Sequence, residues 1–309
     1  MTEEQYLKNL RVPEGPVDVV LDTDTFNEID DQFALSYLLR SGEKLTVKGL
    51  FAAPFFNHHS TSPKDGMEKS YEEILRLLKL AEREDLVPRV FKGSEGYLPD
   101  EKTPVISPAA EELVRLASSY SPEHPLYVAA IGAITNVASA ILLCPEIVEK
   151  IVIVWLGGNG IGWKDEDEFN LKQDIAAGRV VFGSGAPVVQ LPCFGVVSAF
   201  SVSIPELEAY FEGRNALCDF LVGRVKDEVA SYAEGLCVSR VIWDVTAVAW
   251  LLNDSNRFML ARLEDAPVPE YDGLVAYDKD RRITYVYHIK RDELLTDLAV
   301  KLTGGLCFK

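Results

Sequence analysis

The sequence predicts an α/β fold, an open and mostly parallel sheet with helices on both faces, in a single domain. Three observations carry that expectation. Short apolar, β-branched runs alternate with segments of helical period through the first two-thirds of the 309 residues. Several of those runs stop abruptly at a glycine or an acidic turn. No internal repeat or low-complexity linker divides the chain, so residues 1–309 read as one domain with a polar leader at 1–16. In such sheets ligands bind in the crevice beyond the carboxyl ends of the strands.

The first element is the apolar run Val17–Leu21, followed by an acidic loop and a helix starting near Asp30, with Phe33, Ala34, Tyr37 and Leu38 on one face. Leu45–Ala53 reads as the second strand, then a turn-rich segment, then a helix over Glu68–Ala81. Pro88–Phe91 is a short strand, 92–108 a Gly/Pro loop and Ala109–Ser118 a helix. Leu126–Ile131 is a strand broken by Gly132, with a helix from Thr135. Ile151–Leu156 is a strand ended by Gly157-Gly158 and followed by the acidic loop Asn159–Glu168. Helix over Ile175–Phe182 and strand over Pro187–Leu191 continue the alternation. Helices follow around Pro205–Phe211, Ala216–Tyr232 and Asp244–Asn253, and a hairpin-like region at 273–289.

Composition excludes some function classes. Apolar residues make up 48%, enough for a sizeable core, and the net charge is −17. A surface for DNA or RNA phosphates needs clustered Lys and Arg, so nucleic acid is not an expected partner. Cys144, Cys193, Cys218, Cys237 and Cys307 are scattered without a CxxC pair, which suits reduced thiols in a cytoplasmic protein. The opening MTEEQYLKNL has no basic n-region and no long apolar stretch, and nothing approaches a membrane-spanning run.

The densest chemical signal lies between the first strand and the first helix. Asp22, Asp24, Glu28, Asp30 and Asp31 fall within ten residues with no Lys or Arg among them. Neighbouring carboxylates do not all stay ionised unless positive charge sits between them. A helix N-terminus supplies roughly half a charge, too little for this cluster. A divalent cation would suffice, and an all-oxygen set suits Ca²⁺ or Mg²⁺ better than zinc. The bland alternative is that Asp30 and Asp31 cap the helix and the rest is solvated loop.

Three further segments join this loop: IGAITNVASAI at 131–141, LGGN…DEFNLKQDIAA at 156–177, and WDVTAVAWLL at 243–252. Together, in this order and each at a strand-to-helix junction, they resemble the nucleoside hydrolases of the inosine–uridine-preferring superfamily, from about Val17 to residues 299–302. The resemblance implies N-glycosidic cleavage of ribonucleosides, a bound Ca²⁺ (Mg²⁺ being the alternative) and a homodimer or homotetramer. It implies Asp24 as general base and metal contact, Asp31 and Asp244 as further metal ligands, and the Ile131 backbone carbonyl as another. Asp22 resembles a supporting residue of the loop. Asp30, Glu168 and Asn170 match sugar contacts, and Asn57 matches more loosely the asparagine after the second strand. Independently, a hard cation can acidify water, and carboxylates stabilise an oxocarbenium-like sugar.

The chain departs from the family pattern in places. Five residues, Thr25–Ile29, separate Asp24 from Asp30 where the common DTDPGxDD form has three, and the Pro-Gly is missing; Phe26 or Glu28 could reach the site instead. The loop 159–168 is about two residues short, and Gly162 falls near a family asparagine it cannot replace. Trp243 stands where broad-specificity members carry a histidine acid, and it resembles the purine-preferring branch. Cation–π attraction of about 0.5–2 kcal/mol cannot stand in for a general acid worth roughly 10²–10⁴ in rate. Water, or His58 and His59, would then protonate the leaving base, and Trp163 could form a second stacking wall. Core packing, N-capping and solvated loop are the bland readings of Trp243, Asp244 and the Glu168–Asn170 segment. Two other functions stay open: a haloacid-dehalogenase-like phosphatase, whose DxDx[TV] loop DTDTF resembles except for Phe26, and a non-catalytic, metal-stabilised nucleoside-binding protein.

Overall fold

The computed structural model describes residues 1–233 and 238–305. Its centre is an eight-stranded sheet. β1 (Val17–Thr23), β2 (Leu45–Ala52), β3 (Val90–Lys92), β4 (Leu126–Ala130), β5 (Ile151–Leu156) and β6 (Val188–Leu191) are all parallel to their neighbours. The order is β3-β2-β1-β4-β5-β6, so the winding reverses between β1 and β4. That reversal opens a crevice beyond the ends of these two strands. The acidic loop leaves β1 there, and Ile131-Gly132 leaves β4 beside it. A long hairpin, β9 (Met259–Pro269) and β10 (Val275–Ile289), closes the far edge, with β10 parallel to β6 and antiparallel to β9. The α/β expectation therefore stands.

Helices cover both faces. α2 (Ile29–Leu39) is buried at every position and packs against α9 (Ala216–Tyr232), α10 (Val245–Leu251) and α11 (Arg291–Thr303). The opposite face carries α4 (Pro108–Ala117), α5 (Thr135–Leu143) and α7 (Ile175–Gly183) over a second apolar cluster. Buried runs such as β5 need to be apolar on both sides, which is why they read as near-continuous hydrophobic sequence. No helix among the described residues is long and apolar enough to cross a membrane.

Some elements differ from the sequence reading. The polar leader holds a helix, α1 (Glu3–Asn9), capped by Thr2 and tied down by Gln5 and Asn9 donating to the Pro122 carbonyl. α3 (Pro63–Leu80) starts five residues before the expected Glu68, because Ser62 caps it and Pro63 occupies a first-turn position where no N–H is needed. α6 (Phe169–Gln173) is too short to show a period, and β7 (Ser201–Ser203) and β8 (Ser239–Val241) are three residues each. α8 (Ile204–Tyr210) follows β7 directly. The hairpin begins at Met259 rather than 273, since the half-exposed β9 carries Arg262, Glu264 and Asp265 among its apolar residues. Cys144, Cys193 and Cys218 are free thiols; Cys237 and Cys307 lie outside the described residues.

Trp155 on β5 links core and crevice. It is fully buried, packs on Phe182 with ring centroids 5.4 Å apart, and its indole N–H donates to the Gly132 carbonyl at 3.2 Å. Replacing it with alanine should cost about 3–5 kcal/mol of unfolding free energy in urea; a loss below about 1 kcal/mol would contradict the packing described.

Candidate active site

The crevice holds a cavity of about 250 Å³ lined from five loops and helix starts. Three helix N-termini converge on it, those of α2, α6 and α10, beginning after Glu28, Glu168 and Asp244. Each brings the partial positive charge of its first turn. The side chains gathered there are nonetheless overwhelmingly acidic.

Carboxylate oxygens of Asp30, Asp31 and Asp244 lie within 4.8 Å of one another, and all three side chains are buried. Asp244 opens α10 but makes no side-chain cap, so its carboxylate is not committed to the helix. Thr23 Oγ1 donates to Asp31 Oδ1, fixing that carboxylate from the end of β1. Asp24 stands beside this trio and is wholly buried, and neither of its carboxylate oxygens has a hydrogen-bond partner. Its Oδ1 approaches Gly132 so closely that an added Cβ would sit 2.7 Å away, which explains a glycine at that position.

Electrostatics follow from this crowding. Burial first, then the charges of Asp31 and Asp30, pushes Asp24 well above the usual carboxylate range. Asp31 and Asp244 are raised for the same reasons, and each is within hydrogen-bonding reach of the other. Asp30 rises only to about 6: burial raises it, and the Arg240 guanidinium opposes the rise. Asp22, behind the loop, is pushed by burial to about 7; its Oδ1 accepts from Asn136 Nδ2 at 2.8 Å, while Oδ2 has no partner. Four buried carboxylates facing one guanidinium must either take up protons or bind a cation. Two orphaned oxygens on Asp24 and an all-oxygen donor set fit a hard divalent ion.

The β4 and β5 ends complete the wall. Asn170 Nδ2 donates to the carbonyls of Ile131 (3.1 Å) and Leu156 (3.0 Å), tying the two strand ends together. The Ile131 carbonyl has a second lone pair beyond that bond. Glu168 is buried rather than solvated. Its oxygens accept from the backbone N–H groups of Gly158, Asn170 and Leu171 at 2.8–2.9 Å, so it caps α6 while still lining the cavity.

Of the residues singled out from sequence, Asp30, Asp31, Ile131, Glu168, Asn170, Trp243 and Asp244 line the cavity, with Asp24 packed against Gly132 next to it. Asn57 does not line it. It donates instead to Asn27 Oδ1, and Asn27 is the lining residue. His58 and His59 contact each other with rings tilted by 44° and centroids 3.8 Å apart, exposed and outside the lining. Trp163 is not a separate wall: it stacks on Phe194 at 5.7 Å, and Phe194 meets Trp243 edge-on at 5.3 Å. Sequence reasoning missed Phe194, Phe169, Cys193, Asn27 and Arg240 as lining residues. The only local hint among them was the extra length of the loop that holds Asn27 and Glu28.

The chain is similar to known proteins. The family model for inosine-uridine preferring nucleoside hydrolase matches residues 19–306. A pyrimidine-specific ribonucleoside hydrolase, RihA of Salmonella paratyphi A, is 27% identical over 265 residues, covering 76% of this chain and 79% of its own. A purine-preferring ribonucleoside hydrolase from Gardnerella vaginalis superposes with a TM-score of 0.74 at 18% identity, over 93% of this chain and 98% of the other. A plant nucleoside hydrolase gives 0.73 at 19%, over 93% and 99%. The last two show the shared fold; the family match, spanning nearly the whole sequence, shows that this chain belongs to the inosine-uridine preferring nucleoside hydrolases.

Proposed function

We propose that this chain hydrolyses the N-glycosidic bond of ribonucleosides to ribose and free base, with purine nucleosides preferred. The observation that supports it most is the group of three buried aspartates, Asp30 alone of them paired with a guanidinium among the described residues, beside a cavity walled by aromatic rings. Asp24, Asp31, Asp244 and the Ile131 carbonyl would hold a Ca²⁺ ion, with Mg²⁺ as the alternative. Bound there, the ion would acidify a water molecule and grip sugar hydroxyls.

The chain's own groups do the rest. Asp24, with no partner for either carboxylate oxygen, takes the proton of the attacking water. Asp30, Glu168 and Asn170 hold the sugar over the carboxylate cluster, whose negative field favours the positive charge growing at C1′. Trp243 and Phe194 offer an aromatic face and edge to the base. No histidine among the described residues lines the cavity, so solvent protonates the departing base. The acidic surroundings repel a substrate phosphate, which favours nucleosides over nucleotides and separates this reading from a phosphatase. The three free thiols among the described residues support a reducing, cytoplasmic setting.

A reducing-sugar assay should detect ribose from inosine, adenosine or guanosine and little from uridine, cytidine or nucleoside 5′-monophosphates. Faster release from pyrimidine nucleosides would overturn the base preference. Asp24→Asn should lower kcat by about 10² or more, and near-normal turnover would remove Asp24 as the base. Phe194→Ala should raise KM for purine nucleosides about tenfold, the scale of one lost aromatic contact, with an unchanged KM counting against the aromatic wall. Ca²⁺ added to chelator-treated protein should raise Tm by several degrees, as binding to the folded state alone requires, and Asp244→Asn should abolish most of that rise. An identical Tm with and without the ion would exclude a bound metal.

A further inference from the structure

Arg240 is the one basic side chain lining the cavity among the described residues. It stands on β8, four residues before Asp244, and its side chain is 13% exposed. One terminal nitrogen, Nη2, pairs with Asp30 Oδ1 at 3.2 Å and also with Glu28. The other, Nη1, pairs with Glu228 on α9 at 3.2 Å. A single guanidinium thus joins three carboxylates from the loop before α2, its first turn, and α9. Outnumbered three to one, it is not an anion-binding group.

The forces on Asp30 explain what this bridge does. Asp30 lies buried within 4.8 Å of Asp31 and Asp244, both carrying the same charge sign. Ionised carboxylates this close repel one another, so the orientation of Asp30 needs a restraint. Arg240, paired with Asp30 Oδ1 at 3.2 Å, fixes the direction of that carboxylate. The bridge also accounts for the altered loop. With two residues more than the common form and no Pro-Gly, Thr25–Ile29 needs another restraint, and Glu28 from that loop is what Arg240 grips. The grip joins partners 212 residues apart.

We propose that Arg240 is a positioning residue that holds Asp30 in the cavity and so sets how tightly this chain discriminates sugar hydroxyls. The inference rests on the reading of Asp30 as a sugar contact in the proposed function. Lysine is not an equivalent, because a point-like ammonium cannot reach three carboxylates with the geometry of a planar fork.

The test compares wild type, Arg240→Ala, Arg240→Lys and Glu228→Gln on inosine and its 2′- and 3′-deoxy analogues. Arg240→Ala should raise KM for inosine about tenfold, the scale of one lost charge-assisted hydrogen bond, with kcat falling less. The preference for inosine over the deoxy analogues should shrink. Millimolar guanidinium should restore part of the KM, Arg240→Lys should fall between, and Glu228→Gln should shift KM in the same direction by less. Unchanged KM and unchanged hydroxyl preference in Arg240→Ala would overturn the proposal. A crystal structure of Arg240→Lys, or of Arg240→Ala where it folds, supplies a readout independent of turnover: the Asp30 carboxylate should be displaced, and an unmoved carboxylate would overturn the proposal too. Wild-type protein that releases no base from any nucleoside would remove the functional reading alone, leaving the position of Asp30 to decide the role of Arg240.

Discussion

Like charge held out of water is the constraint on which the rest of this structure depends. Asp24, Asp30, Asp31 and Asp244 are buried together, and Arg240, already shared with Glu28 and Glu228, is the one guanidinium among them. A fold does not keep such a cluster for stability, since each uncompensated buried charge is costly. It keeps it where a cation or a developing positive charge will occupy the gap. The doubly wound sheet makes the cluster possible, because β1 and β4 part at the reversal of strand order and release two loops into the same crevice. Three helix N-termini then aim partial positive charge at it.

Around that centre, structural and chemical roles are fused in single residues. Glu168 caps α6 with both oxygens and also lines the cavity. Asn170 ties the ends of β4 and β5 through the carbonyl of Ile131, the same carbonyl the family resemblance assigns to the metal. Asn136 accepts from Ser94 while donating to Asp22, so the loop after β3 is braced against the end of β1. Gly93 permits this contact, since an added Cβ would lie 2.4 Å from Asn136 Nδ2. Substitutions in this layer will therefore change geometry and stability together.

Much of this was legible in the sequence. The parallel sheet followed from alternating apolar runs and helix periods, and the acidic loop, Trp243 and Asp244 stood out because each is a local pattern at an element boundary. What stayed hidden was set by distance in sequence or by brevity. Arg240 pairs with residues 210 and 212 positions away, which no local spacing reveals. Phe194 is one aromatic residue in a turn, and its meaning comes only from Trp163 and Trp243 on either side. Asn57, a sugar contact by resemblance, donates to Asn27, and the lengthened first loop places Asn27 at the cavity. Elements of three to five residues, such as α6, β7 and β8, carry no period to detect.

Anomalous diffraction from crystals soaked in a calcium-site lanthanide such as Tb³⁺ would locate the hard cation that the distant aspartates share. A single strong peak should appear about 2.3–2.6 Å from carboxylate oxygens of Asp24, Asp31 and Asp244 and from the Ile131 carbonyl. A cavity without a peak, or a peak held by other residues alone, would contradict a shared cation.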